Sequence, residues 1–277
     1  PEAERVAEIP YRVESFVANL TVPWDMVFMP DGRAYITERL GNVRVVENGQ
    51  LQPQAYAAIP KVAPAGEGGL LGIAVHPNYP DPAWVYLYYT YREGDAIYNR
   101  ISRVTDTGKG FMGETEVVAG IPGSPIHNGG IIRFGPDGML YAGTGDAGEE
   151  ELAQDVGSLA GKILRFTPEG KPAPGNPFPN SPVYAFGFRN VQGLAWHPET
   201  EELWATNHGP AAMDSVYIVR EGANYGWPRV LGVTEGYSVD DPVLFYPQNS
   251  IAPARALFYT GRLMPRLRNN LFISTLP

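Results

Sequence analysis

The 277-residue chain has no cysteine, so disulfides, thiolate catalysis and Cys-ligated zinc or iron–sulfur sites are excluded outright. Basic residues are the minority. The 21 Lys and Arg stand against 30 Asp and Glu, a net charge of −9, which argues against a nucleic acid or an anionic membrane surface as partner. Long apolar runs are missing too: the longest, Leu70 to Val75 around Gly72, is far too short for a bilayer-spanning helix, so no membrane insertion is expected. Helical periodicity is scarce, and only Glu150 to Ala160 reads as a helical turn or two. What the chain has instead is punctuation, with 32 Gly and 27 Pro, too many for a helical bundle and without the Gly-X-Y period of collagen. An apolar content of 44% excludes a disordered chain, and the length suits a single all-β domain.

Within that punctuated sequence one unit recurs: an apolar strand, a Pro-containing turn, then a second apolar or aromatic strand. It runs first from Asp25 to Thr37 around Pro30. It returns as Leu70 to Pro77 with Trp84 to Tyr88, as Ile131 to Ala142 around Pro136, and as Gly193 to Pro198 with Leu203 to Thr206. A fainter fifth copy joins Ala256–Tyr259 to Leu271–Ser274. The anchors Pro30, Pro77, Pro136 and Pro198 are 47, 59 and 62 residues apart, the length of β-propeller blades with inserted loops. Third strands are expected at Asn42–Val46, Arg100–Val104, Lys162–Phe166 and Ser215–Val219. A β-sandwich would not repeat its landmarks at such spacing. Residues 1–277 are therefore expected to form one propeller domain, with Tyr11 to Leu20 as a closing strand.

Equivalent loops of a propeller converge on one face. Trp24-Asp25, Glu67-Gly68-Gly69, His127-Asn128-Gly129-Gly130, Arg189-Asn190-Val191-Gln192 and Ser250 to Pro253 should meet there. Glu38-Arg39, Gly145-Asp146 and Asn207 to Pro210 return to the same mouth. Convergent polar groups of this kind make the default site. His127, ahead of a Gly-Gly pair, reads either as a proton acceptor near neutral pH or as a loop histidine bonded to backbone. Arg189 reads either as a planar grip on a ligand carboxylate or as half of an internal ion pair. His76 and His197 precede the turn prolines and read as structural, as does His208. Asp31-Gly32 and Asp137-Gly138 are turn chemistry. Tyr86, Tyr88, Tyr89 and Tyr91 read as packing.

Several longer strings go further: GEGGLLGIAVHP at 66–77, HNGG at 127–130, FGPDGMLYAGTGD at 134–146, ELAQD and SLAGKILR within 151–165, FRNVQGLAWHP at 188–198, NHGP at 207–210, GANYGWP at 222–228 and SIAP at 250–253. Together they resemble, in order and over most of the chain, the soluble quinoprotein glucose and aldose sugar dehydrogenases. The resemblance implies an all-β propeller of the six-bladed type, its last blade missing from this chain. It also implies pyrroloquinoline quinone (PQQ) and calcium as cofactors, aldose sugars as substrates, an external electron acceptor, and a periplasmic or extracellular location. Carried over by position, His127 would be the catalytic base. Glu67, Arg189, Asn190 and Tyr237 would contact the cofactor. Gly209, Pro210 and Tyr225 would serve calcium.

This sequence departs from the family at Ile131, where an Arg is usual, and at Ser215, where a carboxylate calcium ligand is usual. Those departures keep open a non-catalytic propeller that binds a sugar or a protein. A calcium-dependent lactonase on a similar propeller is a third reading.

Overall fold

The computed structural model describes residues 11–232 and 238–276. Its first sheet is β1 (Pro23–Phe28), β2 (Ala34–Glu38) and β3 (Asn42–Glu47), with the short β4 (Gln50–Leu51) and β5 (Ala57–Ala58) both on β3. The second is β6 (Leu70–Val75), β7 (Trp84–Glu93), β8 (Ala96–Asp106) and β9 (Phe111–Pro122). The third is β10 (Ile132–Phe134), β11 (Leu140–Gly143), β12 (Lys162–Phe166) and β13 (Val183–Phe186). The fourth is β14 (Val191–Trp196), β15 (Leu203–Asn207), β16 (Asp214–Val219) and β17 (Leu244–Tyr246), and a two-stranded sheet pairs β18 (Pro253–Phe258) with β19 (Leu271–Thr275). Every pairing is antiparallel between neighbours in sequence, save the short β5 on β3, which is antiparallel as well. Four blades and a two-stranded fifth sheet thus follow the repeats read from the sequence.

The repeats fold alike because their turns carry the same bonds. At Pro30-Asp-Gly the Asp31 carboxylate accepts the Arg33 N–H at 3.1 Å, and at Pro136-Asp-Gly the Asp137 carboxylate accepts the Met139 N–H at 3.0 Å, the side-chain-to-backbone turn expected of Asp. In the His-Pro turns the ring Nδ1 accepts instead: His76 from Asn78 N–H at 3.2 Å and His197 from Glu199 N–H at 3.3 Å. The 150s hold only a short 3-10 turn, Glu150–Ala153.

The longer strands carry β-branched and aromatic residues that suit a pleated, buried face, and the core lies between adjacent sheets. Tyr35, Val43 and Val45 of the first sheet pack with Leu70, Val85, Leu87 and Tyr89 of the second. Leu71, Tyr86 and Tyr88 of the second pack with Ile132, Leu140 and Leu164 of the third, and Tyr141 and Ile163 of the third with Leu194, Ala205 and Tyr217 of the fourth. The four tyrosines of β7 are all buried.

Residues 11–22 do not form the expected strand. Tyr11 and Val13 are exposed, while Val17 and Leu20 pack against Ala34, Ile36 and Val46 and the Phe16 ring meets Phe28 edge-on at 5.8 Å. Without a ladder partner among the described residues, the segment lies on the first sheet as a strap, held by these side chains, by the Thr21 N–H on Glu38 and by the Arg39 N–H on the Val22 carbonyl.

The innermost strands meet at Asp25, which is fully buried. Its carboxylate accepts both guanidinium nitrogens of Arg133 at 2.8 Å, the Ile73 N–H at 3.1 Å, and pairs with Arg255 at 2.8 Å. Burial raises the carboxyl's pKa, but Arg133, then Arg255 and the Ile73 amide, outweigh burial and hold it below the usual range. The stabilisation is therefore present above the ordinary carboxylate range and lost as pH falls through the lowered value. Asp25→Asn is expected to cost about 3 kcal/mol at neutral pH by leaving the half-buried Arg133 and Arg255 without their anion. In urea unfolding the gap between variant and wild type should narrow below about pH 4.

Candidate functional site

The loops expected to converge do so, and they are stitched to one another rather than merely adjacent. The Glu67 carboxylate accepts the backbone N–H of His127 at 2.9 Å. Asn190 Oδ1 accepts the Gly129 N–H at 2.9 Å, Asp146 N–H donates to the Arg189 carbonyl at 2.8 Å, and His208 N–H donates to the Asn190 carbonyl at 3.0 Å. Asp214, buried in β16, uses one oxygen for the Gly209 N–H and the other for the Ser250 hydroxyl and the N–H groups of Ile251 and Ala252, all at 2.8–3.0 Å.

Backbone strain collects here. His127, Ala147, Ala211, Met213 and Ala252 all have φ between +43° and +60°, a left-handed conformation that costs a side-chain-bearing residue free energy and persists only where its surroundings enforce it. Gly145 shows how tight the enforcement is, since a Cβ there would lie 1.9 Å from the His127 carbonyl oxygen.

His127 is bonded through Nδ1 to Asp146 Oδ1 at 2.7 Å. A carboxylate only accepts, so Nδ1 carries the proton and Nε2 is left as the acceptor when the ring is neutral. Asp146 is fully buried and also accepts the Gly148 N–H at 2.8 Å and the Trp227 indole N–H at 2.8 Å. The Arg189 guanidinium donates to the Gly209 carbonyl at 3.0 Å and lies 5.6 Å from the centre of the Trp227 ring. It forms no ion pair with a carboxylate among the described residues, so the internal salt bridge is not its role. A cavity of about 290 Å³ adjoins this network, lined among others by Arg39, Glu67, Asn128, Asn190, Gln192 and His208. His208 is more than a turn residue: its Nε2 is buried without a partner, and burial lowers its pKa.

Beside the mouth, the loop that follows Asp146 is held by Lys162. This lysine is fully buried and donates from Nζ to the carbonyls of Leu152, Ala153 and Ala160 at 2.7, 3.0 and 2.5 Å. Burial brings its pKa down to about 7.

The structure therefore brings together His127, Glu67, Arg189, Asn190 and Gly209, with Pro210 next in chain. Tyr225 is buried: the ring stacks on Phe188 with centroids 4.6 Å apart, and the hydroxyl bonds the Ile218 carbonyl and the Arg220 N–H at 3.0 and 2.8 Å. Tyr237 lies outside the described residues. Ser215 is buried, takes a long bond of 3.4 Å from Asn207 and also bonds the Tyr217 side chain. Ile131 is wholly buried and packs with Ile163 and Val191. Sequence reasoning had Asp146 among the converging loops but gave it no part, and it missed Trp227. An orienting acceptor for a mouth histidine was the signal to look for.

Fold and site together define a β-propeller whose polar mouth carries an oriented histidine and an arginine with no carboxylate partner among the described residues. The glucose / sorbosone dehydrogenase family profile matches residues 20–277, and the chain belongs to that family. It is 30% identical to aldose sugar dehydrogenase YliI of Escherichia coli, over 95% of this chain and 77% of that protein. Among solved structures, a putative glucose dehydrogenase from Thermus thermophilus superposes with a TM-score of 0.87 at 44% identity, covering 96% of this chain and 79% of that one. A PQQ-bound aldose sugar dehydrogenase from Streptomyces coelicolor gives 0.85 at 39% identity, covering 95% and 77%.

Glu67→Gln is expected to leave the mouth standing, because an amide oxygen accepts the same His127 N–H. Glu67→Ala should lower stability by roughly 1 kcal/mol. Thermal unfolding of the two variants beside wild type checks the difference.

Proposed function

We propose that this protein is a quinoprotein dehydrogenase that oxidises the C1 hydroxyl of aldose sugars to the lactone, with PQQ and calcium as cofactors and an external electron acceptor. The observation that carries the reading is His127: its Nδ1 is committed to Asp146, so Nε2 is the free base, and Arg189 and Asn190 stand in the same loop network. The chain's own residues suit a carboxylated, planar cofactor. Arg189 is a cation without a carboxylate partner among the described residues, and its guanidinium offers the paired N–H geometry that carboxylates take. For calcium the donors are the Gly209 and Pro210 carbonyls, oxygens of the class this ion prefers. The Gly209 oxygen already accepts Arg189, and no cluster of three acidic or histidine ligands exists among the described residues. A calcium ion there would draw its remaining ligands from the cofactor and water, with Arg189 released from Gly209.

When bound, the quinone supplies a hydride acceptor and calcium the Lewis acidity that makes it electrophilic. His127 Nε2 takes the hydroxyl proton as the C1–H electron pair departs and the C1–O double bond forms. Asp146 keeps the imidazole in the tautomer that can accept, and balances the charge the ring acquires. Glu67 fixes the backbone from which the ring projects, and Arg189 offsets cofactor charge.

The reading includes a six-bladed ring, to which the described residues contribute five sheets. It also includes a periplasmic or extracellular location, where such sugars and acceptors are met. A non-catalytic propeller is the second reading, favoured by the guanidinium that occupies the Gly209 carbonyl.

Reconstitution separates them. With PQQ, calcium, an aldose panel and a dye acceptor, the first reading expects dye reduction that requires both cofactors and stops on chelation. His127→Ala should lower turnover about 10²- to 10⁴-fold. Sugar binding by a folded chain that never reduces dye would establish the second reading.

A further inference from the structure

We propose that Trp227 is a positioning residue for the mouth, fixing at once the carboxylate that orients His127 and the cation Arg189. The inference rests on the reading of His127 as proton acceptor.

Two of Asp146's three side-chain partners are local. His127 and Gly148 share Oδ1, and both belong to loops already stitched to the Asp146 segment. A carboxylate held by one oxygen can still turn about its Cβ–Cγ bond. The indole N–H of Trp227, 81 residues further along, takes Oδ2 at 2.8 Å and stops that rotation. The direction in which Oδ1 meets the imidazole is then set, and with it the direction of Nε2. Trp227 is only 5% exposed, so without Asp146 its indole N–H would be buried unpaired, a state that buried indoles avoid.

Trp227 is itself pinned from both ends. Its backbone N–H donates to the Gly187 carbonyl at 3.0 Å, and its carbonyl accepts Gln154 Nε2 at 2.6 Å. Gln154 and Asn224 exchange amide hydrogen bonds at 2.9 and 3.0 Å. The segments ELAQD and GANYGWP, unconnected in sequence, thus form one platform. Over the ring of that platform lies the Arg189 guanidinium, at cation–π distance, with its other end on the Gly209 carbonyl. One side chain therefore meets the partner of the base through its edge and the cation through its face.

The test uses cofactor-free protein with ¹⁵N-labelled indoles. The Trp227 signal is assigned by its loss in Trp227→Phe. Should that variant not fold, Trp24, Trp84, Trp196 and Trp204 are replaced one at a time and Trp227 is assigned by elimination. The indole N–H resonance is expected to shift with pH in the wild type, and His127→Ala should abolish that shift. A resonance that does not respond to pH, or responds equally in His127→Ala, overturns the proposal. In reconstituted enzyme, Trp227→Phe should lower kcat roughly tenfold, the scale of outer-shell effects on a positioned group, with KM little changed. A coupled indole in a protein without dehydrogenase activity would sink the functional reading alone. An uncoupled indole in an active enzyme would sink the positioning role alone.

Discussion

The molecule depends on one buried carboxylate. A propeller's innermost strands splay around an axis, so they cannot pack against each other as the faces of neighbouring sheets do. Asp25 solves this with charge. It lies on β1, takes the amide of Ile73 on β6, the guanidinium of Arg133 on β10 and the ion pair of Arg255 on β18. Four of the five sheets are thereby tied through a single side chain. One carboxylate answers two guanidiniums, so losing Asp25 would leave both cations facing each other without their shared anion.

That tie sets the phase of the blades, and the phase decides which loops meet. Once the inner strands are held in register, the loops at 67, 127, 146, 189, 208 and 252 have no freedom to avoid each other, and they bond loop to loop around the ring. The left-handed residues His127, Ala147, Ala211, Met213 and Ala252 record the cost of that closeness. Strain of this kind is tolerated where hydrogen bonds from several directions over-determine the backbone, and the Glu67, Asn190 and Asp214 side chains provide them. The base and the cation thus project from backbone that is already fixed before any ligand arrives, which is the condition for a site that need not reorganise.

Much of this was legible in the sequence. The repeated Pro-Asp-Gly and His-Pro turns announced the blades, because a turn needs specific residues at specific offsets and repeats them wherever the strand pair recurs. The grouping of Glu67, His127, Arg189 and Asn190 followed from the blades alone. The pairing of Asp146 with Trp227 did not, since it depends on how far the 220s loop reaches over its neighbour, and no local pattern encodes that reach. The Tyr225 hydroxyl, bonded to the Ile218 carbonyl and the Arg220 N–H, is likewise a contact that no local pattern announces. Residues 11–22 have strand-like composition, yet a strand exists only where a ladder receives it.

Lys162 has a consequence for how this part of the mouth tolerates its surroundings. Three carbonyls converging on one point are what many proteins offer to a metal ion, and here an ammonium fills the place. A cation attached by its own side chain has no dissociation constant. It cannot be diluted away, stripped by a chelator or exchanged for a competing ion, so the support of the 150s loop is independent of ion supply. What it answers to instead is the proton. Burial pulls its pKa down, while Asp155 and the three carbonyls hold the charged form that serves all of them.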